Sequence, residues 1–104
     1  MAEYLQVLTT SGSEEEAERI AAALVERRLA ACVQVLGPIA SHYRWQGEVE
    51  RAREWMCVAK TEASRYPELE AAVRDLHSYE EPEIVATPIV AGGKGYLDWV
   101  SANI

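Results

Sequence analysis

The sequence predicts an α+β fold, because segments with the periodicity of β-strands alternate with segments that have the periodicity of helices. The first observation is the alternation of apolar and polar residues in "YLQVLTT" (4–10), which predicts a strand. The second is the helical spacing of apolar residues that follows it. The third is a pair of long β-like segments around the turn signal Gln46–Gly47. A chain of 104 residues supports one domain, which we predict over 1–104.

The segment after the first strand has the features of an amphipathic helix. Ser13 and Glu16 have the spacing of a capping box, S-x-x-E. Acidic residues fill the first turn, and Arg27 and Arg28 are expected in the last turn, where the helix dipole favours positive charge. A helical apolar stripe is formed by Ala17, Ile20, Ala21, Leu24 and Val25.

The segments 31–45 and 48–61 predict a long β-hairpin. Pro38 cannot occupy a regular central strand, so a bulge or kink is expected at Gly37–Pro38. Each arm has about 14 residues, whereas an average strand has about 5–6. A hairpin of this length must extend beyond so small a domain, and an exposed sheet edge either aggregates or pairs with another chain. We therefore expect an oligomer built by its own sheet edges.

The second half of the chain completes a known strand and helix order. "SRYPELEAAVRDLH" (64–77) predicts a helix, with Ser64 as its cap and Pro67 in its first turn. "PEIVATPIVA" (82–91) predicts a fourth strand, and a loop and a short helix end the chain. The order β-α-β-β-α-β is that of the ferredoxin-like split βαβ pattern.

Composition and motifs argue against several functions. The formal net charge of −7 opposes nucleic-acid binding, which depends on cationic contacts to phosphate, and opposes binding to an anionic membrane surface. No apolar run approaches the roughly 20 residues of a membrane-spanning helix, and no signal peptide is recognised, so we predict a cytoplasmic protein. The sequence has no nucleophile elbow, HExxH, Walker A or GxGxxG motif, and we predict that it is not an enzyme.

Four stretches in this order resemble the CutA family, the divalent-cation tolerance proteins, and the resemblance covers essentially the whole chain. They are "LAACVQV" (29–35), "YRWQGEVE" (43–50), "HSYEEPEI" (77–84) and "GYLDWV" (95–100). The resemblance implies a homotrimer similar in architecture to PII signalling proteins, with the long hairpins locking subunits together. It also implies an association with tolerance to divalent metals and with copper binding. The family's proposed copper ligands, one Cys and two adjacent His, match Thr9, Leu76 and His77 here.

The candidate metal ligands of this chain are His77, Cys32 and Glu83. Imidazole and carboxylate suit Cu(II), Zn or Ni, and a thiolate suits Cu(I) or Zn. Alternatively, His77 caps the second helix near the negative end of its dipole, and Cys32 is a small buried apolar residue. The topology brings Cys32 to one end of the sheet and the other two to the opposite end. A shared metal would therefore require convergence across a subunit interface.

A second hypothesis assigns Lys60, Glu83, Tyr43 and Trp45 to a ligand cleft. Glu83 starts an apolar strand, so we expect it to be partly buried and to need a partner, for which Lys60 is the natural candidate. Tyr43 and Trp45 would either stack on a ligand or pack at a subunit interface.

We predict a non-enzymatic cytoplasmic homotrimer that binds copper or another divalent metal ion and acts in the tolerance of metal ions. The alternative is a PII-like trimeric sensor or scaffold that binds a small metabolite or a protein partner in a cleft between subunits. A metal ion is the only cofactor considered in either case.

Overall fold

The computed structural model describes residues 3–104, in which four strands form one antiparallel sheet of order β2-β3-β1-β4. This α+β architecture and the strand directions confirm the predicted ferredoxin-like fold, and Met1 and Ala2 lie outside the described residues. None of the helices between residues 3 and 104 has the length and apolar character to cross a bilayer. The elements are β1 (Tyr4–Ser11), α1 (Glu14–Glu26), β2 (Cys32–Trp45), β3 (Glu48–Glu62), α2 (Tyr66–Leu76), β4 (Ile84–Ile89) and α3 (Lys94–Ala102).

Helix α1 begins at the predicted cap, where Ser13 Oγ accepts a hydrogen bond of 3.1 Å from the Glu16 amide. It ends at Glu26, so the prediction that Arg27 and Arg28 form its last turn was wrong. Arg28 adopts a left-handed conformation with φ of 58°, and the Leu29 amide donates to the Leu24 carbonyl at 2.9 Å. This is a Schellman motif, which turns the chain so that Leu29 enters the core.

The hairpin of β2 and β3 has the predicted length and irregularity. The pairing register shifts between Leu36 and Ile39, which confirms the bulge expected at Gly37–Pro38. Strand β1 pairs with β3 only as far as Trp55, so the hairpin from Ile39 to Glu54 extends past the end of β1. Its tip is a two-residue turn in which Gln46 and Gly47 both have positive φ, as the twist of a tight hairpin requires.

Helix α2 and strand β4 differ from their predicted bounds. Ser64 lies in a 3-10 turn (Ala63–Arg65), and α2 begins at Tyr66 without a side-chain cap, so the prediction that Ser64 caps this helix was wrong. Pro67 lies in the first turn, as expected. Strand β4 starts only at Ile84, because Pro82 belongs to the loop before it, and it forms an edge of the sheet.

The two faces of the sheet have different environments. One face packs against α1 and α2 around a core of Val7, Ile20, Leu24, Leu29, Ala30, Ala59, Leu69, Ala72 and Val73. Because side chains alternate along a strand, Leu8 and its cross-strand partners Val58 and Val85 lie on the opposite face. Helix α3 contacts one end of that face, where Tyr4 Oη lies 2.7 Å from Ser101 Oγ. Leu36 and Val85 remain about half exposed. On this second face, apolar residues such as Leu8 lie beside polar ones such as Gln6 and Lys60, and a single chain covers the face only in part.

A candidate ligand cleft at the base of the hairpin

A cleft of about 640 Å³ lies where the hairpin leaves the body of the molecule. Strand β1 ends at Ser11, opposite Trp55, so the next residue of β3, Glu54, has no strand beside it on that side. The segment between α2 and β4 occupies the other wall. The lining residues are Thr10, Ser41, His42, Tyr43, Trp45, Glu54, Tyr79, Glu80, Glu81, Pro82 and Glu83.

Glu54 and Tyr79 form a hydrogen-bonded pair in this cleft. Glu54 is only 7% exposed, and its Oε2 accepts a hydrogen bond of 3.0 Å from the Tyr79 hydroxyl. Burial, and then this hydrogen bond to a carboxylate, raise the pKa of Tyr79 to about 12. The hydroxyl therefore keeps its proton at neutral pH and remains a donor to Glu54.

His77 lies behind the cleft and is held by the protein through both ring nitrogens. Its side chain is fully buried. Nε2 lies 2.7 Å from the Thr10 carbonyl, and Nδ1 accepts a hydrogen bond of 3.0 Å from the Tyr79 amide. Since Nδ1 is an acceptor, the proton is on Nε2, which donates to Thr10. The ring follows α2 as its C-cap residue, but it anchors the following segment to β1 rather than lying exposed at the helix end.

Glu16 is a buried carboxylate whose contacts sequence reasoning missed. Its Oε1 accepts from Ser11 Oγ at 2.6 Å and its Oε2 from the Ser78 amide at 3.2 Å. Burial raises the pKa of Glu16, but the hydrogen bonds from Ser11 and Ser78 outweigh it and hold the pKa below its usual value. The one signal in the sequence is position, because Glu16 lies four residues before the core residue Ile20 and thus on the buried side of α1.

One chain does not bring the predicted metal ligands together. Cys32 pairs in register with Lys60, and its Sγ lies 3.2 Å from Tyr96 Oη beside α3. His77 and Glu83 lie at the other end of the sheet, as the topology predicted. Across residues 3–104 there is no group of three or more His, Cys, Asp or Glu side chains arranged to hold a metal ion.

The positions that match the family's proposed copper ligands do not fit copper in this chain. Leu76 has no donor atom, and both ring nitrogens of His77 are engaged. Thr9 has a buried hydroxyl without a hydrogen-bond partner, and a neutral hydroxyl is a far weaker ligand for copper than a thiolate.

Three of the four predicted cleft residues lie together. Tyr43, Trp45 and Glu83 line the same cleft, but Lys60 does not. The predictions that Glu83 is partly buried and that it pairs with Lys60 were wrong, because Glu83 is exposed and Lys60 Nζ donates to Gln34 Oε1 at 2.9 Å. The register explains the separation. Ile84 pairs with Thr9, so Glu83 is level with Thr10, whereas Lys60 pairs with Gln6. Four residues at about 3.4 Å each place roughly 14 Å of strand between the two side chains.

Comparison with known proteins agrees with the fold over nearly the full chain. The family model described as CutA1 divalent ion tolerance protein matches residues 5–103. The divalent-cation tolerance protein CutA of Thermus thermophilus is 50% identical over 97 residues, which are 93% of this chain and 94% of that protein.

Solved structures give the same result. The Thermus thermophilus divalent cation tolerance protein superposes with a TM-score of 0.92 and 50% identity, covering 99% of this chain and 98% of its own. A structure described as the periplasmic divalent cation tolerance protein CutA of Archaeoglobus fulgidus superposes with a TM-score of 0.93 and 41% identity, covering 96% and 97%. The chain therefore belongs to the CutA1 divalent ion tolerance protein family.

Proposed function

We propose that this chain forms a non-enzymatic cytoplasmic homotrimer that binds divalent metal ions, copper among them, between its subunits and acts in divalent-cation tolerance. The observation that carries this proposal is the match of a divalent ion tolerance family model to residues 5–103. A site between subunits is proposed because the candidate ligands of one chain lie at opposite ends of the sheet.

Two features of the fold support assembly. The sheet face opposite α1 and α2 carries half-exposed apolar residues such as Leu36 and Val85. The hairpin extends past β1, and within the described chain no strand pairs with it beyond Trp55 on that side. A second and a third copy would cover both surfaces, which are typical of interfaces in obligate oligomers.

Glu83 and Cys32 are the donors that we propose for the metal. The Glu83 carboxylate is exposed, and the Cys32 thiol is partly exposed with one hydrogen-bonding neighbour. The proposal requires that Glu83 of one chain lie close to Cys32 of another in the assembly. His77 would instead contribute to stability. A metal ion bound to its ring would have to break one of the two hydrogen bonds that the ring nitrogens make.

The test is an anaerobic calorimetric titration of the reduced protein with Cu(I), Cu(II) and Zn(II), together with its mass from light scattering. We expect a mass of three chains and tight binding of one ion per chain or one ion per trimer. Glu83→Gln and Cys32→Ser should each weaken binding by about tenfold or more, equal to about 1.4 kcal/mol. The control Glu18→Gln, at an exposed position on α1, should not change it. Only weak, non-stoichiometric uptake would contradict metal binding.

A second candidate function is a trimeric sensor for a small molecule. The observation that favours it is the cleft of about 640 Å³, which lies within the roughly 300–1,000 Å³ typical of small-molecule sites. A ligand that binds only the folded state raises the melting temperature. A screen of metabolites by thermal shift therefore tests this function, and a screen in which no compound raises the melting temperature would argue against it.

A further inference from the structure

Glu54 is a buried carboxylate without a positively charged partner among residues 3–104. The Tyr79 hydroxyl contacts its Oε2, and none of the ion pairs in this part of the chain includes Glu54. A carboxylate can accept about four hydrogen bonds, so a single donor leaves most of its capacity unused. Buried charges in proteins are normally paired, because the loss of hydration is costly. Glu54 therefore lacks the positively charged partner that a buried carboxylate normally has.

The charge around Glu54 selects a cation. The cleft is lined by four carboxylates and contains neither lysine nor arginine in its lining. Among the lining residues, only His42 has a titratable nitrogen. Arg74 reaches one of the four carboxylates from outside, at 3.5 Å from Glu81, and leaves the others unneutralised. The field in a cleft of this kind concentrates cations and repels anions.

Two aromatic side chains face the same space as Glu54. Ile39 pairs with Glu54 in register, so Tyr43 and Trp45, at even spacings along β2, share its face of the hairpin. Their exposed fractions are 45% and 56%, and both line the cleft. Aromatic rings attract cations through their π-faces, and organic cations also gain from contact with the apolar ring surface.

The geometry fits an organic cation better than a bare metal ion. A metal needs several donors that converge at about 2.0–2.6 Å, and no such group exists among the described residues. The volume of about 640 Å³ instead fits a molecule of many atoms.

We propose that this cleft binds a small organic cation. The amine or guanidinium group would pair with Glu54, and the carbon chain would extend along the hairpin toward Tyr43. The inference rests on the small-molecule sensor function proposed above and is independent of metal binding. It deepens that function by naming the class of ligand.

The test is calorimetric titration of the metal-free full chain at neutral pH with 1,4-diaminobutane and with agmatine. The uncharged 1,4-butanediol and the anion succinate serve as matched probes of similar length. We expect the two cations to bind at one per chain and the other two compounds not to bind. Glu54→Gln, which keeps the acceptor for Tyr79, should weaken cation binding by about tenfold or more. Tyr43→Leu should weaken it as well, whereas Glu68→Gln, an exposed position on α2, should leave it unchanged.

Several results would overturn the proposal. One is binding of the diol as tightly as the amines, and another is equal affinity of Glu54→Gln and the unmutated protein for agmatine. A third is a Glu54→Gln variant that loses its trimer mass while no organic cation binds to the unmutated protein, because Glu54 would then pair with a basic side chain of a second copy. A neutral or anionic metabolite that raises the melting temperature would preserve the sensor function and still overturn the organic cation. If no small molecule of any charge binds, the sensor function itself fails.

Discussion

At the residue scale, buried polar side chains hold the segment between α2 and β4 against the sheet. His77 ties it to the Thr10 carbonyl, Glu16 ties it to α1 through the Ser78 amide, and Glu54 binds the Tyr79 hydroxyl. Each of these bonds joins residues that are distant in the sequence. The cleft wall is therefore positioned by buried hydrogen bonds, which are costly to break because the groups left behind are unsatisfied.

Glu16→Gln tests this network. With the carbonyl of glutamine facing the Ser78 amide, its NH₂ must donate to the Ser11 hydroxyl, which in the unmutated protein donates to the carboxylate. The Ser11 hydrogen bond is therefore reversed, and both hydrogen bonds lose the charge of the carboxylate. We expect a loss of about 1–3 kcal/mol in the free energy of unfolding. The measurement is urea denaturation at a fixed chain concentration, and Glu18→Gln on the exposed side of the same helix should change stability little.

The same residue predicts a pH dependence. The pKa of Glu16 is lower in the folded chain than in the unfolded chain, so its stabilising contribution is present above the unfolded value of about 4.3 and is lost as pH falls through the folded value. The unfolding free energy of Glu16→Gln should therefore fall less steeply below about pH 4.3 than that of the unmutated protein. If the unfolding free energies of the two proteins fall equally steeply at acid pH, Glu16 is not ionised in the folded state.

Gly12→Ala tests the position of Tyr79. A Cβ at Gly12 would lie 2.9 Å from the Tyr79 hydroxyl, so the ring must move away from Glu54. We expect the loss of that hydrogen bond and about 1 kcal/mol of stability, and weaker binding of any cleft ligand. Gly93→Ala is the matched control, because a Cβ there meets no atom within 4 Å. Equal melting temperatures for the two variants would show that Tyr79 adapts without cost.

At the element scale, the hairpin determines both the cleft and the surfaces available for assembly. Its irregularity at Gly37 is sterically demanding, since a Cβ there would lie 2.5 Å from Trp55 Cδ1. Its turn at Gly47 has open space instead, and only the positive φ of 84° favours glycine. The hairpin therefore depends on its backbone ladder, because β1 does not pair with it beyond Trp55.

Ala52→Pro tests the role of the hairpin in assembly. Ala52 pairs with Ser41 in the middle of the overhang, and proline removes one donor of the ladder. We expect the variant to lose the trimer and to melt at a lower temperature, as measured by light scattering and calorimetry. Ala52→Ser keeps the amide and should remain trimeric. An Ala52→Pro trimer of unchanged stability would show that the hairpin does not lock the subunits.

At the scale of the whole molecule, one covered and one partly covered sheet face predict that folding and assembly are coupled. The face opposite the helices carries the apolar residues Leu8, Val58 and Val85, and α3 contacts only one end of it. Burial of such surface stabilises by roughly 25 cal/mol per Å², so a monomer would forgo a large part of its possible stability. Obligate oligomers commonly have no stable folded monomer.

Val85→Glu and Val25→Glu form a matched pair for this coupling. The two valines are 47% and 42% exposed, but Val85 lies on the open sheet face and Val25 on helix α1. Charge on the open face should dissociate the trimer and lower the melting temperature, whereas charge on α1 should leave the mass at three chains. A trimeric Val85→Glu variant, or a folded monomer of the unmutated protein, would contradict the proposed assembly.

Local sequence patterns sufficed for most of the fold. Periodicity and turn residues predicted every strand and helix in its correct order, the bulge at Gly37–Pro38 and the Ser13 cap. These features depend on near neighbours in the chain, such as an alternating pattern or a residue that lacks an amide hydrogen. The errors occurred where contacts between distant parts of the chain determine the local structure. Leu29 is buried in the core, and Arg28 before it adopts a left-handed conformation instead of continuing α1.

The sequence by itself determined the family, the strand order and the opposite-end positions of Cys32 and His77, because directions along a sheet follow from the order of its elements. Only the tertiary structure decided that Glu83 is exposed, that Lys60 binds Gln34, that the Glu16 carboxylate is hydrogen-bonded to the Ser78 amide, and that Glu54 faces a cleft whose lining has neither lysine nor arginine. The physical reason is that burial and pairing of a charged side chain depend on contacts between residues far apart in sequence. The spacing to Ser13 and Ile20 places Glu16 on the inner side of α1, but only the packing of Ser11 and of the Ser78 segment provides the donors that its buried carboxylate needs.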